Sequence, residues 1–294
     1  MRRIAPANPM PTSRDIDGNR SAPMLPIVNR IGSDLPMSFM TNPPPLGSFG
    51  QKLAPGALAG LTIVLPCFDE AENLADAVRH ATLVAERYAA EHEIVVVDDG
   101  STDATLSVAG TLASHDPRVR LIVHSDNLGY AAALRTGIAA AREPWVLLID
   151  ADLQFDIGEL AAFLPVAPTS DLVVGWRILA QGPIGRRLGG AVWSAITRAA
   201  LDLPVRDPDC AFRLARRELL DQLDLHAGGA LFGAELVAKS AAGGARVTEV
   251  PVHHRIRVAG RQDGSGARLS FGTLRELLGL RRARRERPAL HLGV

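Results

Sequence analysis

From Leu61 onward, short apolar runs alternate with segments of helical spacing. Leu61–Leu65, Glu93–Val97, Val119–Val123 and Trp145–Ile149 are rich in Val, Ile and Leu, with little polar alternation. Between them lie Glu70–Ala89, Thr102–Ala113 and Tyr130–Ala141, where apolar residues return every three or four positions. Strands that are apolar on both faces belong to a parallel sheet covered by helices on both sides. The alternation predicts an α/β fold with a doubly wound, mostly parallel sheet flanked by helices. In such sheets ligands bind beyond the carboxyl ends of the strands, which makes the residues after each run the ones to inspect.

Those residues are polar and acidic. They read Pro66-Cys67-Phe68-Asp69-Glu70, then Asp98-Asp99-Gly100-Ser101-Thr102-Asp103, then Asn127-Leu128-Gly129, then Asp150-Ala151-Asp152-Leu153-Gln154. No GxGxxG or GxxxxGK[ST] occurs among them, so neither a dinucleotide fingerprint nor a P-loop is supported. Asp150, Asp152 and Gln154 are spaced i, i+2, i+4. If the chain stays extended past the fourth strand, all three point the same way. Two carboxylates and an amide oxygen are hard ligands suited to Mg²⁺ or Mn²⁺, ions that commonly share carboxylates with substrate phosphates. A solvated turn after a strand is the plainer alternative. Asp99 has two readings as well: its carboxylate can accept a base N–H while Ser101 caps the next helix, or Asp-Gly-Ser is turn chemistry with no ligand. Glu70 is open in the same way, since a helix dipole favours an acid in the first turn.

Composition narrows the setting. The 294 residues are 47% hydrophobic and 22% charged, with a formal net charge of zero, which excludes nucleic-acid binding by bulk charge. Lysine occurs only at Lys52 and Lys239, so nearly all positive charge is Arg, a side chain suited to phosphate. Six arginines crowd between Arg275 and Arg287 against Glu276 and Glu286. Cys67 and Cys210 form no metal-ligand spacing, and a reducing compartment is the simplest setting. Apolar stretches fall far short of the roughly 18 residues a spanning helix needs, and no secretory signal pattern opens the chain, so a cytoplasmic protein is expected. Residues 1–56 hold ten of the twenty prolines and no sustained apolar period. A disordered tail is expected there, with 57–265 as the main folded unit and 266–294 as a basic amphipathic helix and tail.

Taken together, Leu65-Pro66-Cys67-Phe68-Asp69-Glu70, Val96-Val97-Asp98-Asp99-Gly100-Ser101-Thr102-Asp103, Asn127-Leu128-Gly129 and Asp150-Ala151-Asp152 resemble the family 2 glycosyltransferases, which have a GT-A fold. Asp150-Ala151-Asp152-Leu153-Gln154-Phe155 looks like the polyprenyl-phosphate branch, which includes the dolichol-phosphate mannose synthases. Val173-Val174-Gly175-Trp176-Arg177, Leu203-Pro204-Val205-Arg206-Asp207-Pro208 and Cys210-Ala211-Phe212-Arg213-Leu214 extend the likeness, which spans about Leu61 to Gly260. The resemblance implies that Pro66, Phe68, Glu70 and Val97 line a nucleotide site, with Asp99 on the base. Phe68 stands where Tyr is more usual. Asp150, Ala151, Asp152 and Gln154 would meet the donor diphosphate, with Asp150, Asp152 and Gln154 on the metal. Arg177, Arg186 or Arg187, Arg213 and Arg257 would gather phosphates. Arg257-Val258-Ala259-Gly260 matches the family's Arg-x-x-Gly closing loop. The mannose synthases then continue with Glu-Ser-Lys, whereas this chain departs from them with Arg261-Gln262-Asp263, which leaves Arg261 as a candidate substitute cation.

The implied reaction is inversion at the anomeric carbon of a nucleotide sugar, with a polyprenyl phosphate as acceptor. A hydroxyl acceptor needs a base, while a lipid phosphate is already an anion and needs positive charge around it. Asp207 or Asp209 can orient the acceptor. Such a protein would work at the inner face of a membrane, either through a small membrane partner protein or by its own helices. Two segments suit the surface: Ile184–Leu201, with Trp193, and Phe271–Arg287, with its basic end. Core packing with a solvated basic end is the alternative for both. His253 and His254 alternate in an extended run and so cannot readily share one ion.

Overall fold

The computed structural model describes residues 28–30, 57–178, 184–257 and 271–286. Among the described residues, eight strands form one sheet. They are β1 (Val28–Arg30), β2 (Leu58–Cys67), β3 (Ala89–Asp98), β4 (Val119–Val123), β5 (Trp145–Leu148), β6 (Leu172–Ile178), β7 (Arg213–Arg216) and β8 (Val247–His253). Their order is β1-β8-β6-β7-β5-β2-β3-β4, and every pairing is parallel except those of β7 with β5 and β6. Within residues 1–56, expected to be a disordered tail, Val28–Arg30 pairs with Val247–Glu249 at the sheet edge; the rest lies outside the described residues.

The sheet is buried on both faces because its strands are apolar at successive positions. Leu61, Ile63 and Leu65 face one core with Leu147 and Val96, while Val64 faces the other with Val146 and Leu148. Helices α1 (Ala71–Tyr88) and α2 (Thr105–His115) cover the first face. In α1 the buried residues Leu74, Ala77, Val78, Ala81, Val84, Ala85 and Tyr88 make one helical stripe. Helices α3 (Tyr130–Ala140), α4 (Ile184–Leu201), α6 (Phe232–Ala242) and α7 (Phe271–Glu286) serve the second face, and the short α5 (Arg217–Gln222) follows β7. The C-terminal helix α7 packs on α4 and α6 and buries Leu277 in that same core.

The chain runs from β2 outward to β3 and β4, then returns to place β5 on the opposite side of β2. That reversal opens a crevice beyond the carboxyl ends of β2 and β5. Among the described residues, no helix is long and apolar enough to cross a membrane.

Candidate functional site

Two loops bordering the crevice brace each other. Asp69, after β2, has a left-handed φ of 53°. Its Oδ1 accepts from Thr102 N at 2.7 Å and Asp103 N at 3.2 Å, and its own N–H donates to Ser101 Oγ at 3.0 Å. Glu70 N donates to Thr105 Oγ1 at 2.8 Å. Asp98 accepts from the Ser101 hydroxyl, which closes the turn after β3. Gly100, at φ 71°, is required here: a Cβ would lie 2.5 Å from the Asp126 carbonyl carbon.

Asp99 does not face an open cleft. It is only 3% exposed. Its Oδ1 meets His124 Nδ1 at 2.6 Å and accepts from Leu128 N at 3.0 Å, while Oδ2 accepts from Gly129 N at 2.8 Å. His124 in turn reaches Thr136 Oγ1 at 2.9 Å. Asp99 therefore shapes the loop 124–129. Val97 is fully buried, with Ala133, Ile122 and Ala140 packed around it. The Ala151 methyl lies in the core as well, and Pro66 is buried in β2. Phe68 and Glu70 remain at the crevice, Phe68 partly exposed.

The acidic pair lies across the crevice. Tyr130, at the start of α3, donates its hydroxyl to Asp150 Oδ1 at 2.7 Å. Beyond Asp152 the chain turns, with Leu153 at φ 60° and Asp152 Oδ1 accepting from Gln154 N at 3.0 Å. The extended i, i+2, i+4 ligand row is thus broken by a turn. Gln154 instead donates its amide to Arg255 O at 3.1 Å, and Arg255 N donates to Gln154 O at 2.8 Å. Phe155 bridges His254 in an antiparallel pairing, and Arg255 pairs with Asp156 at 2.8 Å. Two residues further along each antiparallel arm, this clip presents Arg257 to Asp152. Arg257 Nη2 lies 2.5 Å from Glu70 Oε1, and Nη1 lies 3.8 Å from Asp152 Oδ2. His253 is held by Glu159 at 2.8 Å and the His254 ring packs on Phe155, so the two histidines serve separate structural contacts.

Burial and the neighbouring Asp150 push the Asp152 carboxyl up to about 7. Burial also raises Asp150, opposed by its Tyr130 hydrogen bond and by the arginines. Two carboxyls that resist ionisation together are short of positive charge. Hard oxygen ligands in that condition fit a divalent cation such as Mg²⁺ or Mn²⁺. Among the described residues, no group of three or more His, Cys, Asp or Glu could hold a metal ion.

The predicted arginines differ in their engagement. Arg177 is clamped by Asp207 through Nε at 2.6 Å and Nη2 at 2.8 Å. Arg213 is buried, with Nη2 donating to Pro208 O at 3.2 Å and its guanidinium beside Tyr130 and Asp150. Gly233 leaves it room, because a Cβ there would lie 2.2 Å from both Arg213 Nη2 and Pro208 O. The side chains of Arg186 and Arg187, and all of Arg261, lie outside the described residues. Beside Arg177, Asp209 accepts from Ser194 Oγ at 3.3 Å, and burial with Asp207 nearby pushes its carboxyl up to about 6.

Tyr130 and His124 were not singled out from sequence. A signal existed for Tyr130, an aromatic residue directly after Asn127-Leu128-Gly129 at a helix start. His124 had none, because its partners Asp99 and Thr136 are brought to it only by the pairing of β3 with β4 and the packing of α3.

The glucosyl-3-phosphoglycerate synthase of Mycobacterium tuberculosis, crystallised with Mn²⁺, UDP-glucose and phosphoglyceric acid, superposes with a TM-score of 0.56. It is 24% identical, with 80% of this chain and 83% of that one covered, which establishes the GT-A fold. An uncharacterized glycosyltransferase of M. tuberculosis is 36% identical over 211 residues, 70% of this chain and 90% of the relative. An undecaprenyl-phosphate 4-deoxy-4-formamido-L-arabinose transferase of Pseudomonas fluorescens is 29% identical, over 71% of this chain and 61% of its own. A dolichyl-phosphate beta-glucosyltransferase of Trichomonas vaginalis is 29% identical, over 65% and 62%. The profile described as glycosyl transferase family 2 matches residues 62–224. A match over more than half the chain, joined to a relative aligned across nearly all of its own length, makes this protein a member of glycosyl transferase family 2.

Proposed function

We propose that this glycosyltransferase moves one sugar from a nucleotide diphosphate donor to a polyprenyl phosphate, with inversion at the anomeric carbon. The carrying observation is the charge-poor pair Asp150 and Asp152 at the sheet's switch point, with Arg257 and Arg213 on the same site. The undecaprenyl-phosphate and dolichyl-phosphate relatives support the acceptor class.

In this reading the nucleotide sugar lies across the ends of β2 and β5, flanked by Phe68 and Glu70. A divalent ion held by Asp150 and Asp152 would supply positive charge to the departing diphosphate. Tyr130 keeps Asp150 oriented toward that ion by holding its other oxygen. Arg257 exchanges its contacts with Glu70 and Asp152 for the diphosphate, so the leaving group gains a second cation. Arg213 places its buried guanidinium beside Tyr130 and Asp150, and Arg177 stands beside Asp207 at the acceptor side. An oxygen of the lipid phosphate attacks the anomeric carbon as the bond to the diphosphate breaks. No proton has to move, so no base is required.

Asp209 favours a second reading. A carboxyl with its affinity for protons raised to about 6 suits a general base, which a hydroxyl acceptor would need. The two readings separate in one experiment. Purified protein with Mn²⁺ and a short polyprenyl phosphate is offered GDP-mannose, UDP-glucose, UDP-GlcNAc or UDP-GalNAc, and the lipid fraction is read by mass spectrometry. One new lipid-phosphate-sugar mass, lost in Asp152→Ala and retained in Asp209→Asn, supports phosphate as the acceptor. No lipid product from any donor, with nucleotide binding retained, sends the assignment to a hydroxyl acceptor or to a non-catalytic nucleotide-sugar-binding protein.

A further inference from the structure

Four large apolar side chains left in water lie on two helices packed side by side. They are Val192 (54% exposed) and Ile196 (38%) on α4, and Leu274 (42%) and Leu278 (49%) on α7. Each pair is spaced i, i+4 and so forms a stripe on its helix. The outward face of α4 carries no polar residue from 189 to 196, while its inward face buries Trp193, Thr197 and Leu201. Trp193 is thus a core residue, a correction to its expected place at a surface. The same two helices carry eight arginines against two glutamates, on a chain whose formal net charge is zero. One of the glutamates, Glu276, is turned to Gly228, whose N–H it accepts at 2.6 Å. Arg275, Arg281 and Arg282 are exposed around the leucine stripe.

We propose that α4 and α7 together form a docking face for an anionic bilayer surface. Apolar stripes flanked by arginine match the boundary between acyl chains and anionic headgroups. A second copy of the chain would cover the same stripes but would bring two strongly positive faces together. The face also lies at a useful depth. The opposite side of α4 sends Ser194 to Asp209, beside the Arg177–Asp207 pair. A helix is roughly 10–12 Å across, so a phosphate at the bilayer surface sits about one helix diameter from that cluster. The purpose of the face rests on the polyprenyl-phosphate reading.

The test is flotation of the full chain with vesicles of phosphatidylcholine alone or with roughly one-third phosphatidylglycerol. Binding should require the anionic lipid and weaken with salt. Arg281→Gln with Arg282→Gln should lower partitioning about 25-fold, about five-fold per arginine. Val192→Asp with Ile196→Asp should lower it about ten-fold or more, with Tm kept near that of the parent because both sites are exposed. Equal binding to neutral vesicles, or variants that float like the parent, would overturn the proposal. A dimer without vesicles that Val192→Asp with Ile196→Asp dissolves would also overturn it, in favour of a second copy. Turnover of a short, water-soluble polyprenyl phosphate is measured in parallel. A chain that floats yet makes no lipid-linked sugar keeps the docking face and refutes the acceptor reading. One that turns over without floating does the reverse.

Discussion

Replacing Asp152 by asparagine removes a charge that the folded protein holds at a cost. Burial and Asp150 lift this carboxyl from its ordinary 3.8 to about 7, a difference worth about 4 kcal/mol at most. Between those two values the native state binds the proton and the unfolded chain does not. Stability on this account falls as pH rises from about 4 to about 7 and is level above. Asparagine has no proton to lose, so the gap between variant and parent opens across that window and is complete by pH 8. For a chain of this size, 1 kcal/mol moves Tm by roughly 2–4 °C, so Asp152→Asn should melt on the order of 10 °C higher at pH 8 and close to the parent at pH 4. The measurement is calorimetry in EDTA from pH 4 to pH 8.5, followed by the same series in Mn²⁺. The ion should stabilise the parent more at pH 8 than at pH 5.5, where it must displace a proton, and should do little for the variant. Parallel Tm–pH curves for the two proteins would refute the idea that Asp152 is held uncomfortably ionised.

Tyr130→Phe removes the hydroxyl donor at Asp150; it should cost about 1–2 kcal/mol in chemical denaturation and raise the Mn²⁺ concentration needed for half-maximal turnover. Asp99→Ala frees Leu128 N, Gly129 N and His124, and urea titration should show a loss of roughly 3 kcal/mol. Gly233→Ala drives a methyl into Arg213 and Pro208, with an expected loss of about 1–3 kcal/mol and weaker turnover by mass spectrometry. Gln154→Ala should loosen the clip to Arg255 that delivers Arg257, seen as a higher KM for the donor with Tm little changed.

Local sequence determined β2 to β5, because a run such as Ile94–Val97 can satisfy its apolar surface only inside a sheet covered on both faces, whereas β1, β6, β7 and β8 were not read as strands from it. It also determined which ends of the strands are polar, and so the edge at which to look. Tyr130–Ala140 and Ile184–Leu201 lie within a residue of their expected limits, whereas the helix expected at Thr102–Ala113 runs Thr105–His115 because the Asp69 and Asp103 hydrogen bonds hold 102–104 in a turn. What those polar residues touch was decided in three dimensions. Asp99 and Val97 stand in the motif, yet the pairing of β3 with β4 turns one toward loop 124–129 and the other into the core. The expected row of Asp150, Asp152 and Gln154 assumed extended backbone, and a left-handed Leu153 breaks it. Arg257 reaches Glu70 across 187 residues only because Phe155 and His254 pair antiparallel. Periodicity reports which face of an element meets a core, since burial is a property of each residue in its own turn or pleat. A site is a set of distances between elements, and those exist only once the sheet has set its order.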